Sequence, residues 1–442
     1  MASIPAREIA LKVLTEYPGR SKPEDLLENL LATYDPERVE RALATQLVSG
    51  TIKWRNKLDF IIKQLSHRSR VVSPVVLNIL RLSIYQLLFL DRVPDYGATN
   101  EGVKLAKKTG DTYQAGYVNA LLRRFLREKE EIEYPDIYGE PIKHIAVVYS
   151  HPTWLVRRWL KRYSVEDVIN LALANNRIAP TGLRVNRLRA GVDEVRDLLI
   201  KAGAEIVGDS LAPFHLYVRG ASPVENLKAH QAGLVQVQDA SSTLVSHVLD
   251  PADGALAVDL CSAPGGKATH IQELAPGAAL VVANDVSLPR LGLVRANAVR
   301  LGHTGMAFTI SDGRRPAIQG ADFLLVDAPC SGLGTLARRW DLRWTKREND
   351  VLRMAAYQRD LLASAIGIAK PGGVVVYSTC SIEPEENEGV VEAVVTGRKD
   401  VKLEDISRLV PASVVYKDGM MQTLPHVHGT DGIFAARLRK SN

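Results

Sequence analysis

The sequence predicts a multidomain protein: an all-α domain, a small α/β module, and a larger α/β domain built on a parallel sheet. Three observations carry this. The chain has 442 residues, more than one hydrophobic core usually organises. Up to about residue 132 its apolar residues recur at i, i+3, i+4 and i+7, the period of helices that share a core. Beyond about residue 226, apolar β-branched runs alternate with helical stretches, the order that lays parallel strands beneath helices on both faces.

In the first domain, residues 1–140, the helical segments are "AREIALKVLTEY", "ERALATQLVSGTIKW", "LDFIIKQL", "VVLNILRLSIYQLLFL", "TNEGVKLAKKTG" and "AGYVNALLRRFLREK". The acidic, proline-containing run "EKEEIEYPDIYGEP" at 128–141 breaks the period and reads as a linker. In the module spanning 141–225, "TGLRVNRL" and "FHLYVRG" alternate as strands do, with the amphipathic "GVDEVRDLLIKAGAE" between them. The third domain, 226–442, carries the strands "ALAVDL", "ALVVAND", "MAFTISD", "DFLLVDAP" and "GVVVYSTC".

With 46% hydrophobic and 24% charged residues the chain has an ordinary globular composition. Its longest apolar run, residues 71–90, is interrupted by Pro74, Asn78, Arg81 and Gln86, which suits a buried helix rather than a membrane span. The start carries charges within its apolar period and lacks a signal-peptide core, so the expectation is a cytoplasmic monomer with no membrane partner. Three cysteines without a C-x-x-C pair exclude a disulfide framework and give no reason to expect a metal. The net charge is +6, and residues 51–130 concentrate it, with fifteen Lys or Arg against seven Asp or Glu. A basic helical surface is a reasonable footprint for RNA phosphates, although a solvated charged face is the commoner origin of such a cluster.

In an open parallel sheet ligands bind beyond the carboxyl ends of the strands. The first strand ends at Asp259 and is followed by Cys261, Ser262, Ala263, Pro264, Gly265, Gly266 and Lys267, a glycine turn that opens a helix and lets a ligand approach backbone N–H groups. The second ends at Asp285, twenty residues beyond Gly265, where an acidic group reaches ribose hydroxyls in nucleotide-binding folds. The third ends at Asp312, placed to accept from an adenine amino group. Neither G-x-G-x-x-G nor G-x-x-x-x-G-K-[ST] is present. An adenosine without phosphates fits better, which is S-adenosylmethionine, with Lys267 facing its carboxylate.

The remaining strands end on thiols: Asp327 and Cys330 in "DAPCSG", Cys380 in "STCS". Carbon 5 of cytosine becomes nucleophilic when a thiolate adds to carbon 6; after methyl transfer a base must remove the carbon 5 proton so that the thiol can leave. A carboxylate can hold the ring's N3 and N4 edge. A lone cysteine is usually a small buried hydrophobe, and Cys261 is read that way, but two at equivalent strand exits point to chemistry. The glutamates after Cys380 read as helix-start residues, with Pro384 at the first turn.

These motifs together resemble the Sun/Fmu (RsmB-type) family of RNA cytosine-5 methyltransferases over nearly the whole chain. "DLCSAPGGKATH" is similar to its cofactor loop, "NDVSLPRLGLVRANAVRLG" to the element that follows, and "DAPCSGLGTLARRWDLRW" and "YSTCSIEPEENE" to its paired cysteine motifs. The resemblance implies cofactor contacts from Cys261 through Lys267 and from Asp285, Arg290, Asp312 and Asp327. It implies Cys380 as nucleophile and Cys330 as the group assisting product release. The sequence departs from the family in having Ser262 where alanine is frequent and Ala268 where threonine is frequent. The first domain resembles NusB, an RNA-binding helical fold, and the middle module an RRM-like element; together they imply a Rossmann-like methyltransferase acting on small-subunit ribosomal RNA. His426 and His428, in a terminal stretch that also resembles the family, form an isolated H-x-H, weak grounds for a metal. Three readings stay open: a transfer RNA cytosine-5 methyltransferase, a DNA cytosine methyltransferase with Cys330 as attacker, and a non-catalytic RNA-binding or assembly module.

Overall fold

The computed structural model describes residues 4–17, 22–66, 73–109, 112–220 and 223–441; residues 71–72 of the long apolar run, and Arg68 and Arg70 of the basic stretch, lie outside them. The chain divides into two units, Met1–Asn176 with Arg339–Lys346, and Arg177–Arg338 with Arg347–Asn442.

The first unit is helical: α1 (Ala6–Glu16), α2 (Pro23–Tyr34), α3 (Arg38–Lys53), α4 (Arg55–Leu65), α5 (Pro74–Phe89), α6 (Asp95–Thr109), α7 (Thr112–Glu128), α8 (Pro141–Val148), α9 (Thr153–Leu160) and α10 (Val165–Asn176). The periodic apolar faces meet in one core that includes Ile9, Leu47, Leu58, Ile79, Leu80 and Phe125. Helix α5 starts where the sequence "SP" directs: Ser73 Oγ accepts from the Val76 N–H at 3.3 Å and Pro74 takes the first turn, satisfying an orphan donor where proline's missing N–H costs nothing. Gly50 lets α3 lie against α5, since a Cβ there would fall 2.0 Å from the Tyr85 ring. The run 128–141 does not end this unit, because α8–α10 belong to it. Arg339–Lys346 belongs to it as well. Arg343, fully buried, donates to Ser150 O at 3.1 Å, Asn176 Oδ1 at 2.8 Å and Asn175 O at 3.1 Å, and Trp344 Nε1 donates to Ile52 O at 2.6 Å.

The second unit holds two sheets. The smaller is antiparallel, in the order β2-β3-β1-β4, made of β1 (Thr181–Val185), β2 (Glu205–Ile206), β3 (His215–Arg219) and β4 (Val235–Val237), with α11 (Val192–Lys201) following β1. It matches the strands read from "TGLRVNRL" and "FHLYVRG", and takes its fourth strand from beyond residue 225.

After α12 (Lys228–Gln231) and α13 (Ala240–Leu249) come β5 (Leu256–Asp259), α14 (Gly266–Leu274), β6 (Leu280–Asp285), α15 (Leu288–Leu301), β7 (Met306–Ile310) and β8 (Ala321–Asp327). Then follow α16 (Leu342–Thr345), α17 (Glu348–Ile368), β9 (Ala369–Thr379), α18 (Glu388–Val395), β10 (Val401–Glu404), β11 (Val415–Tyr416), β12 (Met420–Gln422), α19 (Pro425–His428) and β13 (Phe434–Lys440). The large sheet runs β11-β12-β13-β9-β8-β5-β6-β7, with β10 also on β13. Strands β5 to β9 are parallel, as their apolar runs require. The sheet as a whole is mixed, because β13 joins β9 antiparallel and brings three short strands with it. The chain winds outward from β5 in both directions, so the carboxyl end of β5 is the switch point where this architecture opens a crevice.

Candidate active site

Strands β8 and β9 pair in register from Phe323↔Val374 to Asp327↔Ser378, so their ends, and the loops after them, emerge side by side. The Ala328 N–H donates to Ser378 O at 2.8 Å and the Gly334 N–H to Cys380 O at 3.0 Å, holding one loop on the other. The two thiols therefore meet: Cys330 Sγ and Cys380 Sγ are 2.9 Å apart, and both are free. Their hydrogen bond, then burial, push the Cys330 thiol well above its usual range.

Beside them Asp327 accepts from Lys267 Nζ at 2.7 Å and from Ser378 Oγ at 2.8 Å. Burial works against the Lys267 ammonium, but the charge and hydrogen bond of Asp327 outweigh it and raise its pKa, and the Cys380 sulfur acts in the same direction. Lys267 thus lies on Asp327 at the thiol rim.

Lys267 is placed by the start of α14. Gly265 precedes this helix at φ 104°, where a side chain would be strained, and a Cβ there would lie 3.0 Å from Val294 Cα on α15. The opposite side of α14 rests on Arg184 of β1, which is fully buried, donates to Gly266 O and Thr269 Oγ1, and pairs with the buried Glu273 at 2.7 Å. The small sheet thereby supports the helix that carries the loop.

The loop turns over β6. The Asp285 carboxylate, 3% exposed, accepts from Ala263 N–H at 3.3 Å and Ser287 N–H at 2.9 Å. Arg290 donates to Ala263 O at 2.9 Å and lies 3.5 Å from Asp285. Asp312 is half-exposed and grips Arg314 at 2.6 Å, whose guanidinium stacks 4.7 Å from the Tyr357 ring centroid; that hydrogen bond holds the Asp312 carboxyl below its ordinary range. Asp259 is buried, and burial, then the Asp327 charge, push its carboxyl up to about 8. Burial also raises the Cys261 thiol, and its side chain packs against the β5–β8–β9 core, as a structural cysteine does.

Two polar atoms here have no protein partner: Asp259 Oδ2 and Ser262 Oγ. Buried orphans of this kind are costly and rare, and together with the Gly265 turn and the carboxylates ending β5, β6 and β7 they fit a ligand rich in donors, as S-adenosylmethionine is. A cavity of about 280 Å³ opens alongside, lined by Ser262, Pro264, Gly266, Lys267, Asp327 and polar residues such as Gln238, Asp239, Arg338 and Asp431. Arg338 joins Asp239 at 3.0 Å to Asp431 at 3.1 Å.

The helix-start reading of the glutamates after Cys380 is corrected in part. Helix α18 begins only at Glu388, whereas Glu383 and Glu386 are fully buried. Sequence reasoning also missed Ser378, Tyr357 and Arg338. His428 is committed to backbone, accepting from the Leu424 N–H at 2.9 Å and meeting Ser413 O at 2.9 Å, which leaves it no ligating nitrogen.

Comparison with known proteins identifies the family and the domains. The family described as 16S rRNA methyltransferase RsmB/F matches residues 246–439, the NusB family 4–127, and the ferredoxin-like domain of RsmF/B-like methyltransferases 151–225. The chain is 32% identical to the probable ribosomal RNA small subunit methyltransferase B of Bacillus subtilis, covering 100% of both. It is 35% identical to the ribosomal RNA small subunit methyltransferase B of Serratia proteamaculans over 91% of each. The crystal structure of the protein PH0851 superposes with a TM-score of 0.81 at 28% identity over 99% of each chain. That of a methyltransferase homolog from Pyrococcus horikoshii gives 0.59 at 28% identity, covering 68% of this chain and 99% of its own. The chain belongs to the 16S rRNA methyltransferase RsmB/F family.

Proposed function

We propose that this S-adenosylmethionine-dependent methyltransferase forms 5-methylcytosine in small-subunit ribosomal RNA, with Cys380 as nucleophile and Cys330 as the group that releases the product. The observation that carries this is the meeting of two free thiols, 2.9 Å apart, beside the half-buried Lys267–Asp327 pair. S-adenosylmethionine supplies the electrophilic methyl when bound, in a site formed by Cys261 to Lys267, Asp285, Arg290 and Asp312.

Cys380 gives up its proton to solvent and attacks as the thiolate, with the Lys267 ammonium acting on its charge, while the raised Cys330 thiol keeps its own proton at this stage. Its addition to carbon 6 pushes electron density to carbon 5 and to the N3 edge. Asp327, held by Ser378 and Lys267, accepts from the N4 amino group, and Lys267 neutralises the charge that develops on the ring. Once carbon 5 carries its methyl and the Cys380 sulfur is bound to carbon 6, Cys330 loses its hydrogen bond to that sulfur and gives up its proton to solvent; the thiolate so formed takes the carbon 5 proton. The electrons left behind rebuild the ring double bond and expel Cys380. The high proton affinity of Cys330 suits it to that step.

The test is transfer of labelled methyl from S-adenosylmethionine to small-subunit RNA, followed by nucleoside analysis. The expected product is 5-methylcytidine in small-subunit RNA. Label on another atom, on transfer RNA alone, or on no RNA contradicts the proposal.

A further inference from the structure

A buried carboxylate ties the two reacting loops together and has no part in the steps above. Each reacting cysteine is followed by serine, Cys330–Ser331 and Cys380–Ser381, and both serines turn away from the thiol rim onto Glu386. Glu386 Oε1 accepts from the Ser331 N–H at 2.7 Å and from Gln358 Nε2 at 3.2 Å; Oε2 accepts from the Ser381 hydroxyl at 2.6 Å and from the Ser331 hydroxyl. The residue is completely buried. Its backbone is held too, because the Tyr377 hydroxyl donates to Glu386 O at 2.5 Å, and Gln358 of α17 donates as well to Pro329 O at 2.8 Å, the residue before Cys330.

All four partners are donors, and between them they fill both oxygens. Such an acceptor site suits a carboxylate. An amide would turn an NH2 group toward two donors, and an aspartate would fall short of one loop. The pairing of β8 with β9 stops at Asp327 and Ser378; beyond it the loops are joined by the Gly334 N–H on Cys380 O, by the Ser331 and Ser381 hydroxyls 3.3 Å apart, and by Glu386, which holds both serines at once.

We propose that Glu386 is a positioning residue, one that sets the separation of the Cys330 and Cys380 thiols by gripping Ser331 and Ser381. This rests on the reading of those two cysteines as the reacting pair. Glu386 touches neither thiol and no reacting atom; its effect passes through the loops. A misplacement of about 1 Å in a reacting group can cost on the order of 100-fold in rate, while the sites that bind the cofactor and the rest of the RNA stay as they were.

The experiment uses the full chain and the variants Glu386→Gln and Ser331→Ala/Ser381→Ala, the second pair keeping the buried carboxylate and the Ser331 N–H bond should the first variant not fold. Thiol separation is read without activity, by phenylarsine oxide, whose arsenic is held tightly only by two adjacent thiols; Cys330→Ala serves as the single-thiol control. The expected result is at least tenfold weaker retention of the arsenical than in the parent. It is accompanied by a kcat lower by roughly 10- to 100-fold, with KM for S-adenosylmethionine and for RNA within about threefold of the parent. Retention equal to the parent's, or a loss that appears in KM with kcat preserved, overturns the proposal. Because the arsenical reports geometry alone, an inactive parent that still binds it would fault the cytosine chemistry and leave the role of Glu386 standing.

Discussion

Asp259 shows what a single buried carboxyl does to the whole chain. Ionised near pH 4 when unfolded, it is pushed up to about 8 in the fold by burial, then by Asp327. Between those values the folded state binds a proton that the unfolded chain has lost, so its contribution to stability is fully present below about pH 4 and is lost as pH rises toward about 8. Asp259→Asn removes the titration. Its melting temperature relative to the parent should climb steadily from pH 5 to pH 8, by the equivalent of up to a few kcal/mol; a difference that stays flat across that range would show that Asp259 is ionised throughout. The same substitution should weaken S-adenosylmethionine binding, because Oδ2, like Ser262 Oγ in the cofactor loop, has no protein partner.

At the scale of elements, α14 is held from both sides. Gly265→Ala places a side chain at φ 104° against Val294, which should cost about 1–3 kcal/mol of stability and, by shifting Lys267, a larger factor in cofactor affinity; calorimetric titration would measure it, and unchanged affinity would mean that the turn tolerates a Cβ. On the other side, Arg184→Leu strands the buried Glu273 and should cost about 3–5 kcal/mol in a urea titration. Adding Glu273→Leu should recover most of that. A double variant as unstable as the two losses summed would show that the pair is not the reason for the loss.

Elements are also where the sequence could and could not be read. The parallel strands declared themselves as runs of Val, Leu and Ala ending on Asp259, Asp285, Asp327 and Thr379, because a strand buried on both faces must be apolar throughout. The thiols were visible for the same reason, standing just past those ends. Strands β10 to β12, of two to four residues, are too short to show a period. Nothing in the sequence marks Arg184 or Arg343 as buried, and Glu386 reads there as a helix-start residue, because burial of an ion depends on partners far away in the chain, Glu273, Asn175 and Ser331 among them.

For the molecule as a whole, any share of RNA affinity that comes from phosphate contacts falls as salt rises. Within the basic stretch, Arg124 is committed, pairing with Glu128 at 2.6 Å and donating to Leu65 O at 2.9 Å, whereas Arg123 and Arg127 are exposed on α7, Arg127 lying 3.8 Å from Glu128 in a solvent-screened pair. If α7 faces RNA, reversing the charges of Arg123 and Arg127 should lower the slope of log affinity against log salt by roughly 1.5–2 without altering the melting temperature. An unchanged slope removes that face from the footprint. Reversal of Arg124 should instead destabilise the helical unit.

The central claim is the division of labour between two touching sulfurs, and the covalent protein–RNA adduct tests it most directly. With RNA and S-adenosylmethionine present, Cys330→Ala should accumulate a species that migrates slowly on a denaturing gel and maps by peptide mass to Cys380, while Cys380→Ala should form none. An adduct that maps to Cys330, or one that survives Cys380→Ala, contradicts the account.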